Sequence, residues 1–192
     1  MSKERIFIAA KKLLEREGIS GLSVRKVTRR AGVSPMAMYN HFADKDELLN
    51  ALMQDGLAAW GKIVRDLRAQ DAMVWLEQLM DAFLEFSLNE PHRFEAAFFL
   101  PATRARKYPD DIIMGRSPVV AMLIVRIDQA KMDGRLRNVP ALEVALALAA
   151  MAQGFISMHR AGRFSSDKQF KALYRVAIRH GLDSFKPPSN HP

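Results

Sequence analysis

Residues 22–53 read LSVRKVTRRAGVSPMAMYNHFADKDELLNALM, and the middle of that stretch sets the problem. Between Gly32 and Asp44 stand a proline, two methionines, Tyr39, Asn40 and His41, without one Lys, Arg, Asp or Glu. A core helix would not set three polar tips side by side. A surface helix would carry more charge. The punctuation is that of a short helix with an abrupt start: Ser34 suits an N-cap, and Pro35 suits the first helical position, where its missing N–H costs nothing. Upstream, Ser23 caps VRKVTRRA, and Gly32 suits the residue that ends it. Downstream, Asp44 opens another helix, with Glu47 three residues on in an Asp variant of the capping box.

Two short helices joined by AGVS make a helix-turn-helix. Met38 and Phe42, at i and i+4, hold the second of these against Ile6, Leu13 and Val27. That leaves Pro35, Met36, Ala37, Tyr39, Asn40 and His41 for the outer surface. A helix that enters the major groove must be short, exposed and lean, with polar tips near base edges and phosphates. Tyr39 and His41 can donate to phosphate oxygens. Ser23 and Lys45, at helix N-termini, are natural phosphate anchors.

The rest of the chain also reads as helix, with no sustained period-2 alternation between turn signals. Residues 3–17 carry Ile6, Ala10, Leu13 and Leu14 on one stripe. The helix from Lys45 runs to about Arg68. Further helices are expected over 72–89 (apolar on nearly all sides), 91–100, 118–133, 140–161 and 167–185. That is an all-α chain of about nine helices. Residues 101–117 read as a loop and 186–192 as a disordered tail. Two domains follow, 1–45 and 46–192, with the fourth helix as a strut shared between them.

Of 192 residues, 49% are hydrophobic and 26% charged, which suits globular domains. The net charge is +8. Residues 1–45 hold ten Lys and Arg against four acids, so +6 of that total lies in the first quarter. The basic quarter is either a polyanion-binding module or a solvated face. No cysteine is present, which excludes disulfide and thiolate chemistry. No run of about 18 uninterrupted apolar residues suggests a membrane span. MSKERIF lacks the apolar core of a secretory signal. The expected setting is the cytoplasm, with no membrane partner. No Gly-rich phosphate loop, metal-ligand spacing or nucleophile motif appears, so neither an enzyme nor a cofactor or metal is expected.

The segment LSVRKVTRRAGVSPMAMYNHFADKDELLNALM resembles the DNA-binding segment of the TetR/AcrR family of bacterial one-component transcriptional regulators. The resemblance covers about residues 5–53 and rests on AGVS, the Tyr-x-x-Phe helix and the ADKDEL continuation. It implies a homodimer, a palindromic double-stranded DNA operator and a ligand pocket in the second domain. By position it assigns Ser23, Arg25 and Lys26 to phosphate and groove-edge contacts. It assigns Pro35, Met36, Ala37 and Asn40 to base-facing positions, and Tyr39, His41 and Lys45 to the backbone. Ser34, at the cap of the same helix, counts with them. Met36 and Ala37 can contact a thymine methyl, so specificity leans on Arg25, Asn40 and DNA shape.

The second domain then has to dimerise and, in a sensor, bind a ligand. Ala145, Ala149, Ala152 and Ile156 form a small-residue face, and Phe170, Leu173, Tyr174 and Ala177 a matching stripe. Paired across a two-fold axis, these would make a four-helix interface; the same residues also suit packing within one chain. Phe83, Phe86, Phe98, Phe99, Met122, Met151 and Phe155 either line an adaptable apolar pocket or fill the core. His159 is the polar candidate for orienting a small-molecule effector, which would be apolar or aromatic. The expected function is a repressor released from its operator by that effector. The alternative is a DNA-binding regulator or architectural protein of the same fold with no effector.

Overall fold

The structure is a computed structural model that describes residues 3–100, 104 and 107–188. Among the described residues it contains ten α-helices and no strand. These are α1 (Lys3–Glu17), α2 (Val24–Ala31), α3 (Pro35–Tyr39), α4 (Lys45–Arg65), α5 (Ala72–Asn89), α6 (Pro91–Phe98), α7 (Asp110–Ile113), α8 (Pro118–Met132), α9 (Ala141–Arg160) and α10 (Asp167–Asp183). The helix beyond the expected nine is α7, a single turn inside the segment expected to be loop. Residues 101–103, 105 and 106 of that segment lie outside the described residues, as do 189–192 of the expected disordered tail.

The caps form as their chemistry dictates. Ser23 Oγ accepts from the Lys26 N–H at 3.3 Å, and Ser34 Oγ from the Ala37 N–H at 3.1 Å. Asp44 Oδ1 accepts from the Glu47 N–H at 2.7 Å. Glu47 reaches back to the Ala43 N–H, also at 2.7 Å, one residue before the usual capping-box partner. Gly32 adopts φ 66°, the left-handed conformation that an L side chain resists. It allows the Gly32 N–H to reach Arg29 O and the Val33 N–H to reach Thr28 O, which closes α2 in a Schellman turn.

The chain divides into two compact units, Met1–Lys62 with Phe86–Lys107, and Ile63–Glu85 with Tyr108–Pro192. The sequence suggested a boundary at 45/46. The first unit is larger because α6 is bound into it. Asp55 on α4 accepts from Arg93 Nε at 2.9 Å and pairs with Lys11 of α1 at 3.1 Å. Next to it, a Cβ on Gly56 would lie 2.8 Å from Arg93 O and 2.9 Å from the Ala97 Cβ. Helices α4 and α6 therefore meet backbone to backbone. Trp60 and Phe86 stack with centroids 6.0 Å apart, and Phe94 and Phe98 complete the aromatic group.

In the second unit α9 packs against both α8 and α10. Tyr174 is fully buried and its hydroxyl donates to Met80 O of α5 at 2.9 Å. Burial pushes that phenol's pKa well above its ordinary value, so it stays a donor. Helix α5 is not apolar all round: Val74, Glu77, Gln78 and Asp81 are exposed, while Trp75, Leu76, Leu79 and Leu84 are buried. Helix α9 is the one described helix long and apolar enough to cross a membrane. Its Val144, Leu148, Ala152 and Ile156 are instead buried within the unit.

The Gly56→Ala substitution should destabilise the protein by about 1–3 kcal/mol, because a methyl there must push α6 off α4. Denaturant unfolding measures it, and an unchanged midpoint would mean that the two helices are free to slide apart.

Candidate nucleic-acid interface

The exposed face of α3 depends on two anchors beneath it. Met38 is 0% and Phe42 1% exposed, packed with Ile6, Leu13, Val27, Leu48 and Leu52 in the core of the first unit. With those two side chains inward, the helical turn sends the others out. Met36 is 72% and Tyr39 45% exposed. Pro35, Ser34 and Asn40 are exposed, while Ala37 and His41 are half-buried. Asn40 closes the helix in an αR conformation, its N–H on Met36 O. Ser23, Arg25 and Lys26 are exposed at the start of α2, and Lys45 at the start of α4. Every residue that the sequence assigned to DNA therefore has surface in this unit.

Two tethers were not legible in the sequence. Lys26 Nζ is 2.7 Å from Glu17 Oε2, at the end of α1. The hydrogen bond from Lys26 holds the Glu17 carboxyl below its ordinary pKa. Lys26 is thus tied to an acid that a phosphate would have to displace. Lys3 reaches Glu47 at 3.3 Å and lies over the Phe42 ring, 4.8 Å from its centroid. The Ala43 N–H, then Lys3, lower the Glu47 pKa. Spacing along the chain gives no signal for either pair, because α1 meets α2 and α4 only in the tertiary fold.

Comparison with known families settles what this unit is. The family model described as bacterial regulatory proteins, tetR family, matches residues 6–52, and a tetracyclin repressor-like C-terminal domain matches residues 76–180. The chain belongs to the TetR family. Members are DNA-binding transcription factors rather than enzymes, and this TetR-family chain is accordingly a transcriptional regulator. Its fold recurs in a protein of unknown function from Rhodococcus sp. RHA1, with TM-score 0.74 at 21% identity over 96% of this chain and 95% of that one. It recurs in a putative tetR family regulator from Shewanella sp. PV-4, with TM-score 0.70 at 18% identity over 95% and 97%. A TetR variant from Acinetobacter baumannii AYE, solved in complex with minocycline, gives TM-score 0.69 at 20% identity over 96% of both chains.

The second TetR-family domain holds the remaining sequence-assigned residues, and it divides them. Of the expected dimer face, Ala145, Ala152, Ile156, Phe170 and Tyr174 are buried inside the chain, so they serve the α9–α10 seam. Ala149 and Ala177 are half-buried, and Leu173 is exposed. The exposed apolar surface of these helices includes Leu173 of that face and, outside it, Leu146, Ala150, Gly154, Met158 and Val176. Of the expected pocket residues, Phe86, Phe98 and Phe99 belong to the first unit's aromatic group. Met151, Phe155 and His159 lie in the α9–α10 seam: Met151 packs on Gly181, Phe155 beside Phe164 and Tyr174. His159 stacks on Phe170 at 4.1 Å, with Nε2 2.8 Å from Asp167 Oδ1. Phe83 is buried on α5 and Met122 half-buried on α8.

Glu17→Gln should release Lys26 and tighten binding to any duplex at low salt. The slope of log affinity against log salt should steepen by up to about one unit. Fluorescence anisotropy across a salt series reads both. Weaker binding would mean that the pair positions Lys26 rather than occupying it. Lowered carboxyl pKa values also fix a sign: the stability from Glu17 and Glu47 is complete above the ordinary Glu value, about 4.3, and is lost as pH falls through their lower folded values. Glu47→Gln should therefore flatten the acid limb of a stability–pH curve, and an unchanged limb would remove Glu47 from that account.

Proposed function

We propose that the chain is an effector-released repressor that binds a palindromic operator as a homodimer in the bacterial cytoplasm. The observation that carries this reading is the pinned, uncharged face of α3. Pro35, Met36, Ala37 and Asn40 would meet base edges, with Ser34 at the helix entry. Tyr39, His41, Ser23, Arg25, Lys26 and Lys45 would hold the phosphates on either side. Two such helices in a dimer must lie about one DNA turn apart, roughly 34–36 Å.

On this reading the dimer forms through the exposed stripe of α9 and α10, where Leu146, Ala150, Leu173 and Val176 offer apolar surface without charge. The effector is met in the second unit, with Phe83 and Met122 as apolar wall. The minocycline complex of the Acinetobacter neighbour supports a small aromatic molecule as the effector class. An effector that favours the state with misplaced readers weakens DNA binding by linkage, with a typical coupling of about 1–3 kcal/mol.

The direct test is selection of the purified protein against random duplex DNA. An enriched inverted repeat is expected; enrichment of no sequence would favour a shape-reading architectural protein. Leu173→Glu should give a monomer by sedimentation and lose affinity for the full palindrome while keeping weak half-site binding. A dimer that survives this substitution would move the interface off α9 and α10.

A further inference from the structure

We propose that Arg104, far outside the helix-turn-helix, is a further DNA-backbone contact, held beside the first turns of α4 by the buried amide of Asn50. The proposal rests on the DNA-binding reading above and names a contact that the helix-turn-helix does not supply.

The first observation is a buried polar side chain on an otherwise apolar stretch of α4. Asn50 is 6% exposed on a stretch of α4 whose other inward residues are Leu48, Leu49, Leu52 and Met53. A buried amide is costly unless it is hydrogen-bonded. Asn50 Oδ1 accepts from the backbone N–H of Arg104 at 3.1 Å, across 54 residues of sequence. The bond fixes the main chain at Arg104 and leaves its side chain exposed.

The second observation is where that side chain acts. Asn50 lies five residues beyond Lys45, about 7.5 Å along the helix axis. The guanidinium charge of Arg104 is felt at Glu47 in the first turn, adding to the larger effects of the Ala43 N–H and Lys3. That helix end carries Asp44, Asp46 and Glu47 beside Lys3 and Lys45, so a further cation there favours an approaching phosphate. Arg104 supplies one. It also adds a planar fork of N–H donors that matches a phosphate better than an ammonium does. The first-turn N–H groups of α4 that Asp44 does not cap would then meet a phosphate with less like-charge repulsion.

The test uses the full chain and the fluorescein-labelled duplex obtained by selection, titrated across a salt series. Arg104→Ala should weaken binding several-fold at low salt and reduce the salt slope by about one unit, with sequence preference unchanged. Arg104→Lys should restore the slope but not all of the affinity. Asn50→Leu, which keeps the core apolar, should lose slope and affinity as Arg104→Ala does, because the guanidinium is no longer held in place. Wild-type affinity and slope in Arg104→Ala would overturn the proposal. An altered sequence preference would also overturn it, by moving the contact from backbone to base edge. A wild-type slope in Asn50→Leu would remove Asn50 as the positioning residue. A wild-type chain that binds no duplex would overturn the DNA-binding reading itself, which separates that failure from the failure of this inference.

Discussion

The first unit depends on one pair of side chains. Met38 and Phe42 sit four residues apart and are both fully buried, so they set the rotation of a helix only five residues long. A helix of that length has no stability of its own, since nucleation alone outweighs its few hydrogen bonds. It exists because burial of these two residues, about 1.5–3 kcal/mol each, holds it against α1, α2 and α4. The same burial orients Tyr39, Asn40 and Met36. Lys3 over the Phe42 ring shows how close the support lies to the charged rim.

Charge in this unit is bound up more tightly than the count of cations implies. Lys26 is held by Glu17, Lys3 by Glu47, and Lys11 by Asp55. The first two pairs are exposed, and such pairs contribute little to stability. Their consequence is for association. Each pair that opens on DNA exchanges one partner for another, so part of the phosphate attraction is offset. Arg25, Arg29 and Arg30 are exposed on α2 as well, and the charge of Arg30 also helps to lower the Glu17 pKa, after the larger effect of Lys26.

The sequence made the helix-turn-helix legible because its signals are local. Ser23, Ser34 and Asp44 cap within three residues, Gly32 turns the chain, and Met38–Phe42 repeats at helical spacing. Legibility ended where the determinant was long-range. Nothing near Asp55 and Gly56 announces that Arg93 and Ala97 will close on them, so the first unit appeared to stop at residue 45. The faces of α9 and α10 were ambiguous for another reason. Helix α9 is apolar nearly all round, so composition cannot say which side the chain keeps and which it shows. The expected face contained the inner residues Ala145, Ala152 and Ile156, and the exposed stripe lies beside it. The same ambiguity spread the expected pocket over two units: Met and Phe mark apolar surroundings, not what they surround.

Two of the three crossings between the units fall inside helices, in α4 and α5, and the third falls between Lys107 and Tyr108, just ahead of Pro109. In a flexible segment the dihedrals absorb a displacement. A continuous helix has few such soft degrees of freedom, and a change at one end appears at the other as tilt or rotation. Within the first unit, Asp55, Gly56 and Ala97 join α4 to α6, and Asp55 joins both to α1. That clamp makes a tilt of α4 a movement of the whole unit. The support beneath Met38 and Phe42 would then stay intact, and the exposed face of α3 would move with it. On the proposed reading, an effector acting this way needs no local unfolding of α3, only enough differential binding to favour the tilted state.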